Sequence, residues 1–98
     1  MSELVFLLSA DRDIQEAYEF YEHWQEGRGA IFIRHLDAVF EHLRRFPEIG
    51  PTFHRSYRRL LVPGFPYGIF YMIEGRRIII PAIIDTRQRP DAILRRLQ

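Results

Sequence analysis

Neither cysteine nor lysine occurs among the 98 residues. Without cysteine there are no disulfides, no thiolate nucleophile and no thiolate metal ligand, so a metal site would have to draw on histidine and carboxylates alone. That composition agrees with a reducing compartment. Without lysine there is no side-chain amine for a Schiff base or for general-base work, and all fourteen basic residues are arginine. A guanidinium stays protonated at any working pH, so it binds and stabilises charge instead of accepting protons. Long apolar runs are missing too: the N-terminal run Leu4 to Leu8 is far short of the ~20 residues of a membrane span. No basic segment precedes it as in a signal peptide, and a cytoplasmic protein without membrane attachment is expected. No repeat, low-complexity tract or linker divides the chain, and residues 1–98 read as one domain, long enough to bury about two-thirds of its unfolded surface.

What is present is unevenly placed. The net charge is only +1, yet residues 1–51 carry five arginines against ten acids, and residues 52–98 carry nine arginines against three acids. The C-terminal half is therefore the basic half, by +6 against −5.

Hydrophobic residues make up 47% of the chain, and the densest stretch runs from Phe65 to Pro90. Two apolar runs, Tyr67 to Ile73 and Arg77 to Asp85, flank Glu74-Gly75, and glycine at the second central position suits a two-residue turn with positive φ. The spacing predicts a β-hairpin. Alternation places Tyr67, Ile69, Tyr71 and Ile73 on one face of its first strand and Phe70 and Met72 on the other. In the second strand Ile78, Ile80, Ala82 and Ile84 point one way and Ile79 and Ile83 the other, so both faces of the hairpin need cover. Pro81 removes a ladder donor and predicts a bulge.

Earlier in the chain, Glu3 to Leu8 reads as a strand, and Ser9 is placed to cap a helix whose first turn holds Asp11 and Asp13. Ile14, Ala17, Tyr18, Tyr21 and Trp24 continue it as an apolar stripe up to Gly27 and Gly29. A second helix spans Ala30 to Phe46 on the stripe Ile33, Leu36, Phe40, Leu43, widened by Phe32, Val39 and Phe46. So short a turn makes the two helices an antiparallel hairpin. Phe53 to Val62 supplies a third strand ahead of the hairpin, and Ile93, Leu94 and Leu97 suggest a short C-terminal helix. The expected fold is α+β in two layers: an antiparallel four-stranded sheet of order 1-4-3-2, in the sequence β-α-α-β-β-β, with the helical hairpin on one face. The N-terminal strand is expected antiparallel to the last strand. Since so short a C-terminal segment is not expected to cover a sheet face, the second cover is expected largely from another chain.

This order of elements, with the segments ADRDIQEAYEFYE, FPYGIFYMIEG and AIIDTRQRP, resembles the RelE/ParE superfamily of toxins of type II toxin-antitoxin, or plasmid-stabilisation, modules over essentially the whole chain. The resemblance implies a cytosolic toxin without cofactor, neutralised by a cognate ParD-like antitoxin in a hetero-oligomer. RelE-like members cleave mRNA on the ribosome with lysines, arginines and a C-terminal tyrosine, whereas ParE-like members inhibit DNA gyrase. Here lysine is missing, Gly68 stands where RelE-like strands carry arginine, and no tyrosine follows Tyr71. The long helical hairpin also resembles ParE, and gyrase is the expected target.

The residues expected to act follow from that placement. Arg87, Arg89, Arg95 and Arg96 are the candidate target contacts. Phe20, Trp24, Arg58, Arg59, Tyr67, Ile69 and Tyr71 are the candidate antitoxin contacts. Were the chain an mRNA nuclease, His54, Arg59 and Arg87 would have to carry the chemistry, with His54 as general base. His35 and His42 stand seven apart on the second helix, not at the i, i+4 spacing that brings two ligands to one metal, and read as surface or packing residues.

Overall fold

In the computed structural model, which describes residues 1–98, the chain runs β1 (Glu3–Phe6), α1 (Leu8–Trp24), α2 (Arg28–Arg45), β2 (Thr52–His54), β3 (Tyr57–Leu61), β4 (Tyr67–Glu74), β5 (Arg77–Asp85) and α3 (Pro90–Arg96). The β4-β5 hairpin turns at Gly75 with φ +61°, the positive value that glycine adopts without strain. Four strands of the order read from sequence recur, but the sheet has a fifth, β2, and the full order is β1-β5-β4-β3-β2.

That extra strand reverses one expectation. Strand β1 pairs with β5 parallel, from Glu3 against Arg77 to Phe6 against Ile80, not antiparallel. The reason is parity: each short connection reverses the chain, and β2 adds one reversal between α2 and β5. Its three residues pair with β3 through Thr52 against Arg58 and His54 against Tyr57, with a register shift between. The expected run Phe53 to Val62 is thus two strands folded back on each other.

The bulge expected at Pro81 is there. Phe70 faces Ala82 while Met72 faces Ile79, so three steps along β5 answer two along β4. One extra residue inverts the alternation beyond it. As a result Ile78, Ile80 and Ile83 join the helix-side core, while Ala82 and Ile84 face the other way with Phe70. The uninterrupted alternation read from sequence holds only as far as Ile80.

Helix α1 begins differently from the expected Ser9 cap. Its N-cap is Leu7 and no side chain caps it. Ser9 lies inside the first turn and its Oγ donates to the Pro81 carbonyl at 2.6 Å. Beyond the end of β1, the exposed edge of β5 is served by this helix start: Leu7 N–H donates to Ile80 O at 3.0 Å, and Asp13 Oδ2 accepts from Ile83 N–H at 2.9 Å. Polar residues that would have capped a helix instead close a sheet edge.

Two cores form, one on each face. On the helix side Ala17, Tyr21, Phe32, Leu36, Phe40 and Leu43 pack on Ile69, Tyr71, Ile78, Ile80 and Ile83. The helices can approach closely because a Cβ at Gly29 would lie 2.8 Å from the Tyr18 ring. On the other face Phe70, Ala82 and Ile84 are buried beneath Ile93 and Leu97, with Phe53 and Tyr57 at the rim. The chain therefore supplies part of the second cover itself, more than so short a C-terminal segment was expected to give. Helix α3 is held down by an ion pair of Arg96 to Asp13 at 2.7 Å. The row Val5, Ile79, Met72, Tyr57 on the same face stays half-buried.

Candidate protein-docking site

Helix α2 buries Phe32, Leu36, Phe40 and Leu43 and leaves its flank toward β3 open. Between that flank and the sheet edge lies a groove of ≈ 720 Å³ lined by Arg34, His35, Ala38, Val39, His42, Leu60, Leu61 and Pro63. Leu61 is 54% exposed. No strand pairs beyond Arg58 on this edge of β3, so backbone as well as apolar side chains is open to a partner here. His35 Nδ1–H donates to the Pro63 carbonyl at 2.9 Å, the only direction available toward a carbonyl. Its ring stands edge-on to Phe65 at 5.4 Å, which fixes the β3–β4 loop against α2.

Past that loop the surface continues into a smaller depression of ≈ 250 Å³ formed by Phe20, Tyr21, Trp24, Arg28, Gly64, Phe65, Pro66 and Arg87. Phe20 is 60% exposed and Trp24 65%. Arg28 Cζ lies 5.3 Å from the Trp24 ring centre and 5.4 Å from that of Phe65, within cation–π range of both. Its Nε is buried without an acceptor. Glu22 is occupied: it accepts from Gly27 N–H at 2.9 Å and Gly29 N–H at 3.0 Å. These bonds satisfy amides that open α2 and would otherwise be orphaned.

The remaining candidates separate. Ile69 and Tyr71 are fully buried under the helical hairpin, and a partner reaches neither without opening it. Tyr71 is structural: its hydroxyl donates to Pro47 O at 2.7 Å and accepts from Gly50 N–H at 2.9 Å. Tyr67 is half-buried against the same core. Arg58 Nη1 donates to the carbonyls of Glu48 at 3.1 Å and Gly50 at 2.9 Å, so it staples the loop before β2. Arg59 stacks over Phe53 at 5.1 Å. Only Phe20 and Trp24 of the expected antitoxin contacts are prominently exposed. The groove itself was missed by the sequence reading; the signal was Leu61, one of the two leucines of the YRRLLV run, which alternation places opposite the core-facing Leu60.

The four C-terminal arginines are all ion-paired. Arg87 binds Asp85 at 2.7 Å, Arg89 and Arg95 share Asp91 at 3.2 and 3.3 Å, and Arg96 binds Asp13 at 2.7 Å. Hydrogen bonding from Arg87 holds the Asp85 carboxyl below its ordinary value, against a smaller opposing effect of burial. Asp91 is lowered likewise, chiefly by Arg89.

The three residues that a nuclease would need come from three segments, with the Arg59 stem meeting Thr86, the neighbour of Arg87, over Gly68. His54 lies on β2, Arg59 on β3 and Arg87 past the end of β5. With β4 intervening, β2 and β5 are three strand spacings apart, roughly 14 Å. Burial raises the pKa of Tyr21, Tyr67 and Tyr71, so these hydroxyls stay protonated and serve as donors. No group of three or more His, Asp and Glu is placed to hold a metal ion, and no helix is long and apolar enough to cross a membrane.

Comparison with known proteins falls on the same architecture. No curated protein matches the chain. A solved structure described as the chromosomal ParDE TA system from P. aeruginosa superposes with a TM-score of 0.77 at 18% identity, covering 87% of this chain and 96% of the other. At that identity the likeness speaks for the fold. A family model for the ParE toxin of type II toxin-antitoxin systems, parDE, matches residues 4–90, which spans the helical hairpin, the whole sheet and both depressions along α2. The chain belongs to the ParE toxin family.

Proposed function

We propose that this chain is the toxin of a type II toxin-antitoxin module, bound and neutralised by a cognate ParD-like antitoxin and acting in the cytoplasm as an inhibitor of DNA gyrase. The observation that carries the antitoxin part is the continuous apolar surface along α2: the groove at Leu61 and Val39, joined across the β3–β4 loop to exposed Phe20 and Trp24. Apolar surface of this extent, rimmed by Arg34, Arg28 and two histidines, suits an amphipathic segment carrying acids.

The gyrase part rests on membership of the ParE family and on the lack of any lysine and of any tyrosine after Tyr71, which stands against ribosome-dependent mRNA cleavage. Arg87, Arg89, Arg95 and Arg96 are the proposed target contacts. Each guanidinium carries five N–H donors, and its aspartate takes only one or two, so donors remain for a partner although the charge is largely neutralised.

The test is a side-by-side assay of toxin freed from its antitoxin. Gyrase supercoiling of relaxed plasmid should be lost and should return on adding the antitoxin. Cleavage of translated mRNA with gyrase unaffected would overturn the target, and failure of the antitoxin to bind would overturn the partner.

A further inference from the structure

Among the arginines that line a depression, Arg28 is the one stacked against two aromatic rings. Its two stacking partners, Trp24 and Phe65, hold the guanidinium at 5.3 and 5.4 Å, yet no side-chain hydrogen bond or ion pair spends any of its donors, and Nε is buried without an acceptor. Since Nε is closed off, a ligand would meet this guanidinium at its Nη groups. The neighbouring cation, Arg87, is already committed to Asp85 through two bonds at 3.1 and 2.7 Å. The pocket has no acid among its lining residues and a volume of ≈ 250 Å³, room for one or two side chains. Its outer wall is the exposed part of Phe20 and Trp24.

A guanidinium with aromatic rings against it and its edge unspent is prepared for a planar acceptor that takes two parallel N–H bonds. A carboxylate and a phosphate share that chemistry. The surroundings choose between them: between Asp11 and Glu26 the chain has six acids against the single Arg12, a field that repels an extended polyanion, which needs several cations in a row. One carboxylate next to an apolar side chain, with a single charge, meets far less of that repulsion.

We infer that Arg28, clamped between Trp24 and Phe65, anchors one Asp or Glu of the antitoxin, whose neighbouring apolar side chain packs on Trp24 and Phe20. This rests on the antitoxin reading and names the contact within it. The pair is the polar end of the docking surface, and the groove at Leu61 is its apolar length.

Trp24 is the chain's single tryptophan, so its fluorescence reports on this site alone, provided any tryptophan of the antitoxin is replaced by phenylalanine. Antitoxin should shift and partly quench the emission at the stoichiometry seen by calorimetry. Arg28→Gln should weaken binding by roughly 30-fold or more, since truncating one member of a desolvated ion pair leaves the other unpaired. Arg28→Lys should rescue only part of that loss, because lysine keeps the charge but not the fork or the stack. One antitoxin carboxylate, changed to its amide, should then add nothing further to Arg28→Gln. Unchanged affinity of both Arg28 variants, or silent Trp24 emission during binding, overturns the inference and leaves the antitoxin reading standing. No binding by the wild-type toxin sinks both. A response to an oligothymidylate probe but not to antitoxin overturns it in favour of a nucleic-acid site. Should Arg28→Gln fail to fold by thermal melting, the carboxylate-to-amide scan of the antitoxin against wild-type toxin decides the same point.

Discussion

The two faces of the sheet are covered by different means. On one, a hairpin of 17- and 18-residue helices lays down a core that includes Phe32, Leu36, Leu43, Ile69 and Tyr71, all at or near zero exposure. On the other, a seven-residue helix buries Phe70, Ala82 and Ile84 with two side chains, Ile93 and Leu97. A helix that short has little stability of its own, and an unfavourable nucleation step is repaid only by packing and tethers. Its tether is the Asp13 carboxylate, which serves Ile83 N–H and Arg96 at once. The larger face is built to fold the chain and the smaller one to finish it.

The sharpest way to break that contrast is to remove one side chain from each face. Phe32→Ala should cost about 3–5 kcal/mol, as for other buried aromatics, and a domain of this size has only about 5–15 kcal/mol to lose. Ile93→Ala should cost about 2 kcal/mol, at the low end for isoleucine, because α3 lies at the surface and can settle inward. Urea titration of the two variants checks the order. Equal losses would mean that the small core is as cooperative with the rest as the large one.

A smaller change sharpens the same comparison at its tether. Arg96→Gln should destabilise by about 1 kcal/mol, discounted because the guanidinium is 40% exposed. Asp13 keeps its bond to Ile83, so β5 should hold while α3 loosens, and hydrogen exchange should quicken at Ile93 and Leu97 but not at Ile83. Equal quickening at all three would put the tether inside the main core.

Much of the larger face was legible in sequence because it depends on period. The stripe Leu36, Phe40, Leu43 and the alternation Tyr67, Ile69, Tyr71, Ile73 each mark the side they bury. What depended on a single residue was lost. Pro81 announces a bulge, but only the resulting phase shift moves Ile83 to one face and Ala82 with Ile84 to the other. Thr52–His54 is too short to show any period, and missing it turned a parallel pairing into an antiparallel one. The docking surface was half legible: Trp24 stands on the helical stripe and could have been core, while Phe20 lies off it, and both are exposed at the C-terminal end of α1. Of the C-terminal arginine pairings, those of Arg87, Arg89 and Arg95 join residues two or four apart and lay within local reach, whereas Asp13 lies 83 residues from Arg96, a contact no local pattern carries.

The smallest effect expected is at the junction between β5 and α3, where Asp85 accepts from the Arg87 backbone N–H at 2.9 Å and from its guanidinium at 3.1 and 2.7 Å. These bonds favour the ionised carboxyl, and its pKa falls below the ordinary aspartate value despite the opposing effect of burial. A carboxyl depressed in the folded state adds stability above its unfolded pKa of about 3.9 and gives it up as pH falls through the lower folded value. The stabilisation is therefore fully present at neutral pH and lost only in acid. Carbon-detected NMR titration should place the Asp85 midpoint below the ordinary aspartate value, and Arg87→Gln should move it back up. An Asp85 midpoint at the ordinary value in the wild-type chain would show that the pair is open in solution. Arg87 would then stand beside Arg28 as a second free cation in the aromatic depression, and the preference of that site for a single carboxylate would have to be reconsidered.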